Sequence, residues 1–284
     1  MNQAASGSVA ERTQRMLDLL TPTERKPAQR LLANYPVAGL ETVARFAADA
    51  GVSGPTVLRF ISKLGYGGYA EFQQSLRNEF QAQLESPLTK RSKTAPRRGR
   101  AKDRLDHFSA NIHSNIEETF SLLSRKDFDA VVRLLADTAR PVHLLGGRFT
   151  DPLAAYFFQH LRALRPRAYR IEGQPIAWAE YLLDMDQRDL LLVFDVRRYQ
   201  ADLETFAARA AQRGVRIVLF TDQWLSPIAR VATHVFAVRI DIRTSWDSAA
   251  ATLALVEAII TELSELHWPR IRKRIEALED LQER

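Results

Sequence analysis

Two kinds of hydrophobic periodicity divide this chain. Through the first 84 residues, apolar side chains recur every three to four positions, the spacing of one helix face. Beyond about residue 140 they gather into short continuous runs between helical segments. Ser8 to Leu20 has helical character. Thr21-Pro22-Thr23-Glu24 opens a second helix, because Thr21 can cap, Pro22 fits the first turn and Glu24 completes a capping box. That helix is expected to run to about Asn34 and to end at Pro36. Thr42 starts the next, with Val43, Phe46, Ala47 and Ala50 on one face. Ser53 is expected to cap a further helix with Pro55 in its first turn. Its buried face is Val57, Phe60, Ile61 and Leu64, at i, i+3, i+4 and i+7, and its opposite face offers Thr56, Arg59 and Lys63. Gly65-Tyr66-Gly67-Gly68 breaks this helix, and Tyr69 to about Leu84 forms one more.

Residues 47–60 read A-x-x-x-G-V-S-x-x-T-V-x-R-F. Ala47 is small enough for a second helix to approach closely. Gly51 can take the positive φ of a tight turn without steric cost. Val57 and Phe60 then pack back on the first helix. This is the spacing of a helix-turn-helix, whose second helix enters the DNA major groove. A DNA-binding regulator is therefore expected.

Residues 86–104 read as a linker. Ser86-Pro87 opens it, and Lys90, Arg91, Lys93, Arg97, Arg98, Arg100, Lys102 and Arg104 follow with almost no large apolar residue. The segment is a solvated tether or a set of phosphate contacts. Beyond it, helices are expected over Leu105–Leu123 and Asp127–Thr138. Five apolar strands follow, at Val142–Leu145, Ala168–Ile171, Leu190–Phe194, Ile217–Phe220 and Val235–Val238. Helices between them start near Asp151, Ile176, Ala201 and Pro227. A long helix over Ser248–Leu266 and a charged one after Pro269 close the chain. Strands alternating with helices imply a parallel, doubly wound, flavodoxin-like sheet. The expected organisation is an all-α helix-turn-helix domain over 1–85, a basic linker over 86–104 and an α/β domain over 105–284.

Charge sharpens this division. Residues 1–104 carry 17 Lys and Arg against 9 Asp and Glu, whereas the rest carries 23 against 25. A nucleic-acid partner is thus expected for the N-terminal part alone. The chain has no cysteine, which excludes disulfides, thiol catalysis and Cys-ligated zinc and suits a reducing cytoplasm. No apolar run approaches the ~20 residues that span a bilayer, and Met1–Ala10 has no secretory pattern.

The two halves together resemble the RpiR (MurR/RpiR) family of bacterial transcriptional regulators. The N-terminal resemblance rests on Val52-Ser53, Thr56-Val57, Arg59-Phe60, Leu64-Gly65 and Gly68-Tyr69. Residues about 127–266 resemble the sugar isomerase (SIS) domain that this family carries as its sensor. Here the resemblance rests on Val142-His143-Leu144-Leu145-Gly146, on Ile217-Val218-Leu219-Phe220-Thr221-Asp222 and on Ser226-Pro227-Ile228-Ala229. It implies a regulator that reads an operator in double-stranded DNA through Ser53, Gly54, Pro55, Thr56, Arg59, Lys63 and Tyr66. SIS domains that bind phosphosugars usually carry G-x-G-x-S after the first strand and S-x-S-G-x-T after the third. This chain has Gly146-Gly147-Arg148-Phe149-Thr150 and Asp195-Val196-Arg197-Arg198-Tyr199-Gln200 instead.

Ligands of open parallel sheets bind beyond the carboxyl ends of the strands, where strand order reverses. With the order 2-1-3-4-5, both altered loops meet there. The expected effector site is Gly147, Arg148, Thr150, Asp195, Arg197, Arg198 and Tyr199. Guanidinium forks would grip a small anion, a sugar phosphate or a sugar acid. The alternative is a pocket closed by an Arg148–Asp195 pair. Enzyme motifs are weak: the six histidines show no metal-ligand spacing, and neither a P-loop nor G-x-G-x-x-G is present. His143 reads as a hydrogen-bonded core residue, Glu204 as an exposed helix carboxylate, and Trp178, Trp224 and Trp246 as pocket lining or core, with core the preferred reading. No catalytic residue, cofactor or metal is expected. A homodimer is, with a tetramer as the variant, because two-fold proteins match palindromic sites. A phosphosugar isomerase and a DNA-binding protein whose sheet domain only mediates assembly are the competing functions.

Overall fold

The computed structural model describes residues 7–84, 86–93 and 101–282. They form two compact units. One reaches to Ser86 and includes Gln223–Leu225; the other holds Pro87–Asp222 and the chain from Ser226.

The first unit is helical: α1 (Val9–Met16), α2 (Pro22–Ala33), α3 (Val37–Leu40), α4 (Val43–Ala50), α5 (Gly54–Lys63) and α6 (Tyr69–Leu84). Capping boxes start two of these, Ser8 with Glu11 at α1 and Thr21 with Glu24 at α2. The single turn α3 was not expected from the sequence. It forms where Gly39 comes so close to the side chain of Leu76 on α6 that a Cβ there would sit 2.4 Å from it. Gly51 ends α4 at φ +63° with open space around it, so backbone conformation rather than crowding requires glycine. Val57, Phe60, Ile61 and Leu64 are fully buried among Phe46, Ala47, Phe72 and Leu76. Each such side chain contributes about 1.5–3 kcal/mol, which is what holds α5 against α4.

The second unit opens with α7 (Pro87–Lys93), α8 (Ala101–Leu122) and α9 (Arg125–Ala136). It continues as β1 (Val142–Gly146), α10 (Asp151–Leu164), β2 (Ala168–Arg170), α11 (Trp178–Asp184), β3 (Leu190–Phe194), α12 (Ala201–Gln212), β4 (Arg216–Asp222), β5 (His234–Val238), α13 (Ala250–Leu266) and α14 (Trp268–Gln282). The sheet is parallel throughout, in the order β2-β1-β3-β4-β5. Leu145, Leu191, Val193, Ile217 and Leu219 face one way, onto Leu203, Phe206, Ala207 and Trp178 of α12 and α11. The other face carries a run of rings: Phe194 stacks on Phe220 at 4.4 Å, with Phe157 and Phe236 against the same ring. Burial on both faces is why these strands read as continuous apolar runs.

Three expectations change. The segment 86–104 is not simply an extended tether: Pro87–Lys93 is helical and α8 begins at Ala101, while Arg97, Arg98 and Arg100 lie outside the described residues. Lys90 is buried, because its stem packs inward while its ammonium meets Asp241 and Asp247. The helix expected near Pro227 is a single 3-10 turn, Pro227–Arg230, held by the Ser226 hydroxyl.

Candidate functional site

On α5, the side opposite the buried seam exposes Pro55, Leu58, Arg59 and Ser62, again at i, i+3, i+4 and i+7. Ser53 is exposed and Gly54 half-buried. Ser53 sits at the N-cap position, yet its hydroxyl meets the Thr56 hydroxyl at 3.0 Å rather than a backbone amide. Thr56 departs from the sequence reading: it is only 3% exposed, since it shares a face with Phe60 one turn on. Its Oγ1 accepts from the Arg59 guanidinium at 3.1 Å, which steadies Arg59 while leaving it exposed. Lys63 reaches back to Glu24, with 2.7 Å between Nζ and Oε2. That bond, with help from Thr21, pulls the Glu24 carboxyl down to about 2. Tyr66 also departs from the expectation. It is buried, edge-on to Phe72, with the Arg12 guanidinium over its ring and its hydroxyl bonded to Ser75. A chain that breaks at Gly65 turns this ring inward to close the core. Leu58, 45% exposed, was missed; the signal was its place three residues after Pro55 on the polar stripe.

In the second unit, the loops after β1 and β3 meet beyond the carboxyl ends of the strands, as the strand order requires. The segment before α13 joins them. Two adjoining cavities lie there, of about 250 and 210 Å³. Gly147, Arg148, Asp195 and Gln200 line the smaller one. Leu153, Trp246, Asp247, Ala249 and Thr252 line the larger. Phe149, Thr150, Val196, Arg197 and Arg198 border both. Gly146 must be glycine because a Cβ would sit 2.5 Å from the backbone of Asp151, where α10 starts.

Several backbone donors of this crevice are already engaged. The amide of Gly147 donates to Thr150 Oγ1 at 2.8 Å, that of Arg148 to Gln200 Oε1 at 2.6 Å, and that of Arg197 to Asp222 Oδ2 at 2.7 Å. At the head of α10, the Thr150 and Asp151 amides donate to Gly147 O, and those of Leu153 and Ala154 to Thr150 O; residue 152 is proline. Asp151 adds a negative charge to that helix terminus and pairs with Arg170 at 2.6 Å. A phosphate cradle built from loop amides and a helix N-terminus would need these groups unoccupied.

The side chains expected to bind an effector divide. Arg198 and Arg148 are exposed at the rim, the latter lying 5.2 Å over the Phe149 ring. Arg197 is buried and pairs with Asp247 at 3.0 Å. Both Arg197 and Arg198 have positive φ, +36° and +56°. Gly147 and Thr150 are buried in the loop, and the Thr150 hydroxyl donates to Phe194 O. Asp195 is not paired with Arg148. It accepts from Ser226 Oγ at 2.5 Å, and burial pushes its carboxyl up to about 6. Tyr199 leaves the expected set: its hydroxyl donates to the buried Asp222 at 2.6 Å, and burial raises it well above the usual phenol range. Trp246, expected in the core, is 60% exposed at the cavity mouth, 6.3 Å edge-to-face from Phe149. Asp247, Thr252 and Trp246 were missed because the sequence after β5 has no periodicity to place them.

Groups that could have carried enzyme chemistry are otherwise engaged. His143 is buried against Asp189 at 2.7 Å, and its pKa is lowered by burial. Glu204 lies on the surface 3.9 Å from Arg230. Among the described residues no cluster of His, Asp and Glu could hold a metal, and no helix is long and apolar enough to cross a membrane.

Two family models match this chain in N-to-C order. The helix-turn-helix domain of the rpiR family matches residues 7–83, and the SIS domain matches residues 137–262. The chain is 28% identical over 234 residues to the HTH-type transcriptional regulator HexR of Pseudomonas aeruginosa, covering 80% of this chain and 77% of that one. Among solved structures, the sugar isomerase domain of an RpiR transcription factor from Sphaerobacter thermophilus shares the fold. Its TM-score is 0.57 at 22% identity, over 62% of this chain and 98% of that one. The Vibrio vulnificus NanR protein, complexed with ManNAc-6P, has a TM-score of 0.55 at 17% identity over 96% of this chain and 97% of its own.

Proposed function

Because this chain belongs to the RpiR family, with its helix-turn-helix domain ahead of a SIS domain, we propose that it is a transcriptional regulator that binds an operator and senses a small anionic metabolite. The exposed ridge of α5 carries the reading. Arg59 stands beside Pro55, Leu58 and Ser62 on a helix whose other side is fully buried, so this ridge is what the helix has to offer a major groove. The protein acts as a homodimer on a palindromic site. Its anion sits where the loops after β1 and β3 meet, and occupancy changes operator affinity.

An isomerase is a weaker account. Its phosphate cradle would need the amides that Thr150, Gln200, Asp222 and Gly147 occupy. An assembly-only sheet domain would leave the Arg198 and Trp246 side chains without a role at the cavity mouth. The test selects bound sequences from random duplexes with the purified protein. Recovery of a palindrome whose affinity falls on Arg59→Ala supports the reading; sequence-blind binding, or none, rejects it.

A further inference from the structure

The two adjoining cavities differ in chemistry. In the smaller, the amides of Gly147, Arg148 and Arg197 are bonded to the protein's own acceptors. The larger has mostly apolar walls: Phe149, Leu153, Val196, Trp246 and Ala249. A polyol moved into such a space would exchange several water hydrogen bonds for few partners, and each unmatched hydroxyl weakens binding. A ring with apolar faces has no such cost and gains edge-to-face contact with Phe149 and Trp246. About 250 Å³ exceeds the roughly 150 Å³ that suffices for a benzene ring.

The polar side chains of the larger cavity are mostly engaged: the Thr150 hydroxyl donates to Phe194 O, the Ser248 hydroxyl accepts from the Ala250 amide, and Arg197 meets Asp247. The charge of Arg197 is matched by Asp247, which leaves the exposed Arg198 as the cation at the rim. Deeper in, the Thr252 hydroxyl is 1% exposed and has no hydrogen-bond partner in the structure. That oxygen is sealed from the cavity by its neighbours and adds nothing to a ligand seat. One cation and two rings on mostly apolar walls describe a ligand with a single negative charge and a flat apolar body.

We propose that the larger cavity takes an aromatic carboxylic acid, its ring against the Phe149 and Trp246 side chains and its carboxylate on Arg198. This rests on the anion-sensing reading above and names the ligand class within it.

The experiment uses the full chain and follows tryptophan fluorescence and thermal unfolding with two sets of probes. Phenylacetate, benzoate and 4-hydroxyphenylacetate form one set; glucose 6-phosphate, 6-phosphogluconate and inorganic phosphate form the other. The aromatic acids should raise the melting temperature and change the fluorescence. Trp246→Phe should remove the fluorescence change while retaining a thermal shift, because a ring remains. Arg198→Gln should weaken the response about tenfold or more, roughly the loss of one charged hydrogen bond. If the phosphates shift the protein and the aromatic acids do not, the ligand class is wrong and anion sensing stands. If neither set acts at about a hundred times ordinary metabolite affinities, both readings fall. Equal responses in wild type and in Arg198→Gln would likewise overturn the proposed seat.

Discussion

Lys90 and Arg197 reach the same carboxylate oxygen. The Lys90 ammonium lies 2.5 Å, and the Arg197 guanidinium 3.0 Å, from Oδ1 of Asp247. Both side chains are almost fully buried and share that anion, with Asp241 a second partner for Lys90. Asp247→Asn should destabilise the protein by about 2–4 kcal/mol, because buried Arg197 loses a carboxylate partner and buried Lys90 loses its nearer one. Lys90→Met should cost no more than about 1 kcal/mol, since Asp247 keeps Arg197 and the lysine stem is replaced by an apolar one. Urea unfolding of both variants checks the asymmetry; equal losses would contradict it.

Arg198 occupies a left-handed backbone position at φ +56°, where glycine is at ease. Replacing it with glycine should stabilise the fold by about 1 kcal/mol through relief of that strain. The same change should remove the rim cation and with it the anion response. A variant with a higher melting temperature and no ligand shift is the expected outcome. A loss of stability would show that the arginine side chain holds the loop.

Asp195 gives the second unit a pH dependence of known sign. Its carboxyl is raised in the folded state from 3.8 to about 6, chiefly by burial, with Asp222 adding to the shift. The folded state therefore holds the proton more tightly than the unfolded one. Its contribution is fully favourable below the unfolded value and is lost as pH rises through about 6, on the order of 2–3 kcal/mol in all. The stability difference between wild type and Asp195→Asn should change over that window and be level above pH 7. Denaturation series at pH 4.5, 5.5, 6.5 and 7.5 would measure it. A difference that does not vary with pH would sink the assignment.

Arg59 and Lys63 should separate on DNA. Arg59→Ala should weaken specific binding by roughly 1–3 kcal/mol if the side chain reads a guanine, with little change in folding because it is exposed. Lys63→Ala should also raise the Glu24 pKa, since the Lys63 hydrogen bond is the largest cause of its depression to about 2. Glu24 contributes stability above its unfolded value, lost as pH falls through the folded one, so Lys63→Ala should lose stability near neutral pH and less near pH 3. Gel shifts on the selected and scrambled duplexes, with pH-dependent unfolding, test both. Equal losses on the two duplexes would mean that Arg59 touches only phosphate.

Much of the fold was legible because its causes are local. The capping box of Thr21 with Glu24, the glycine at 51 and the seam from Val57 to Leu64 each act within a turn or two of chain. The strands were legible because burial on both faces leaves no polar position to interrupt them. What escaped depends on contacts distant in sequence. Tyr66 and Tyr199 look like site residues by position, yet Ser75 and Asp222 draw their hydroxyls inward. Lys90 looks like tether until Asp241 and Asp247 come to it. Trp246 and Asp247 lie in a stretch with no period, so only the folded loops reveal that they border the cavity.

The engaged amides at Gly147, Arg148 and Arg197 bear on how this crevice could change. Reverting Arg148 and Arg198 to glycine would loosen the backbone without vacating a single donor. Thr150 Oγ1, Gln200 Oε1 and Asp222 Oδ2 would still occupy them, and Asp222 also fixes Tyr199. Each single step back towards a phosphate cradle is therefore unrewarded until several others have been taken. Freeing all three amides would take replacement of Thr150, Gln200 and Asp222 together, so the crevice is epistatically coupled there rather than open to change one residue at a time.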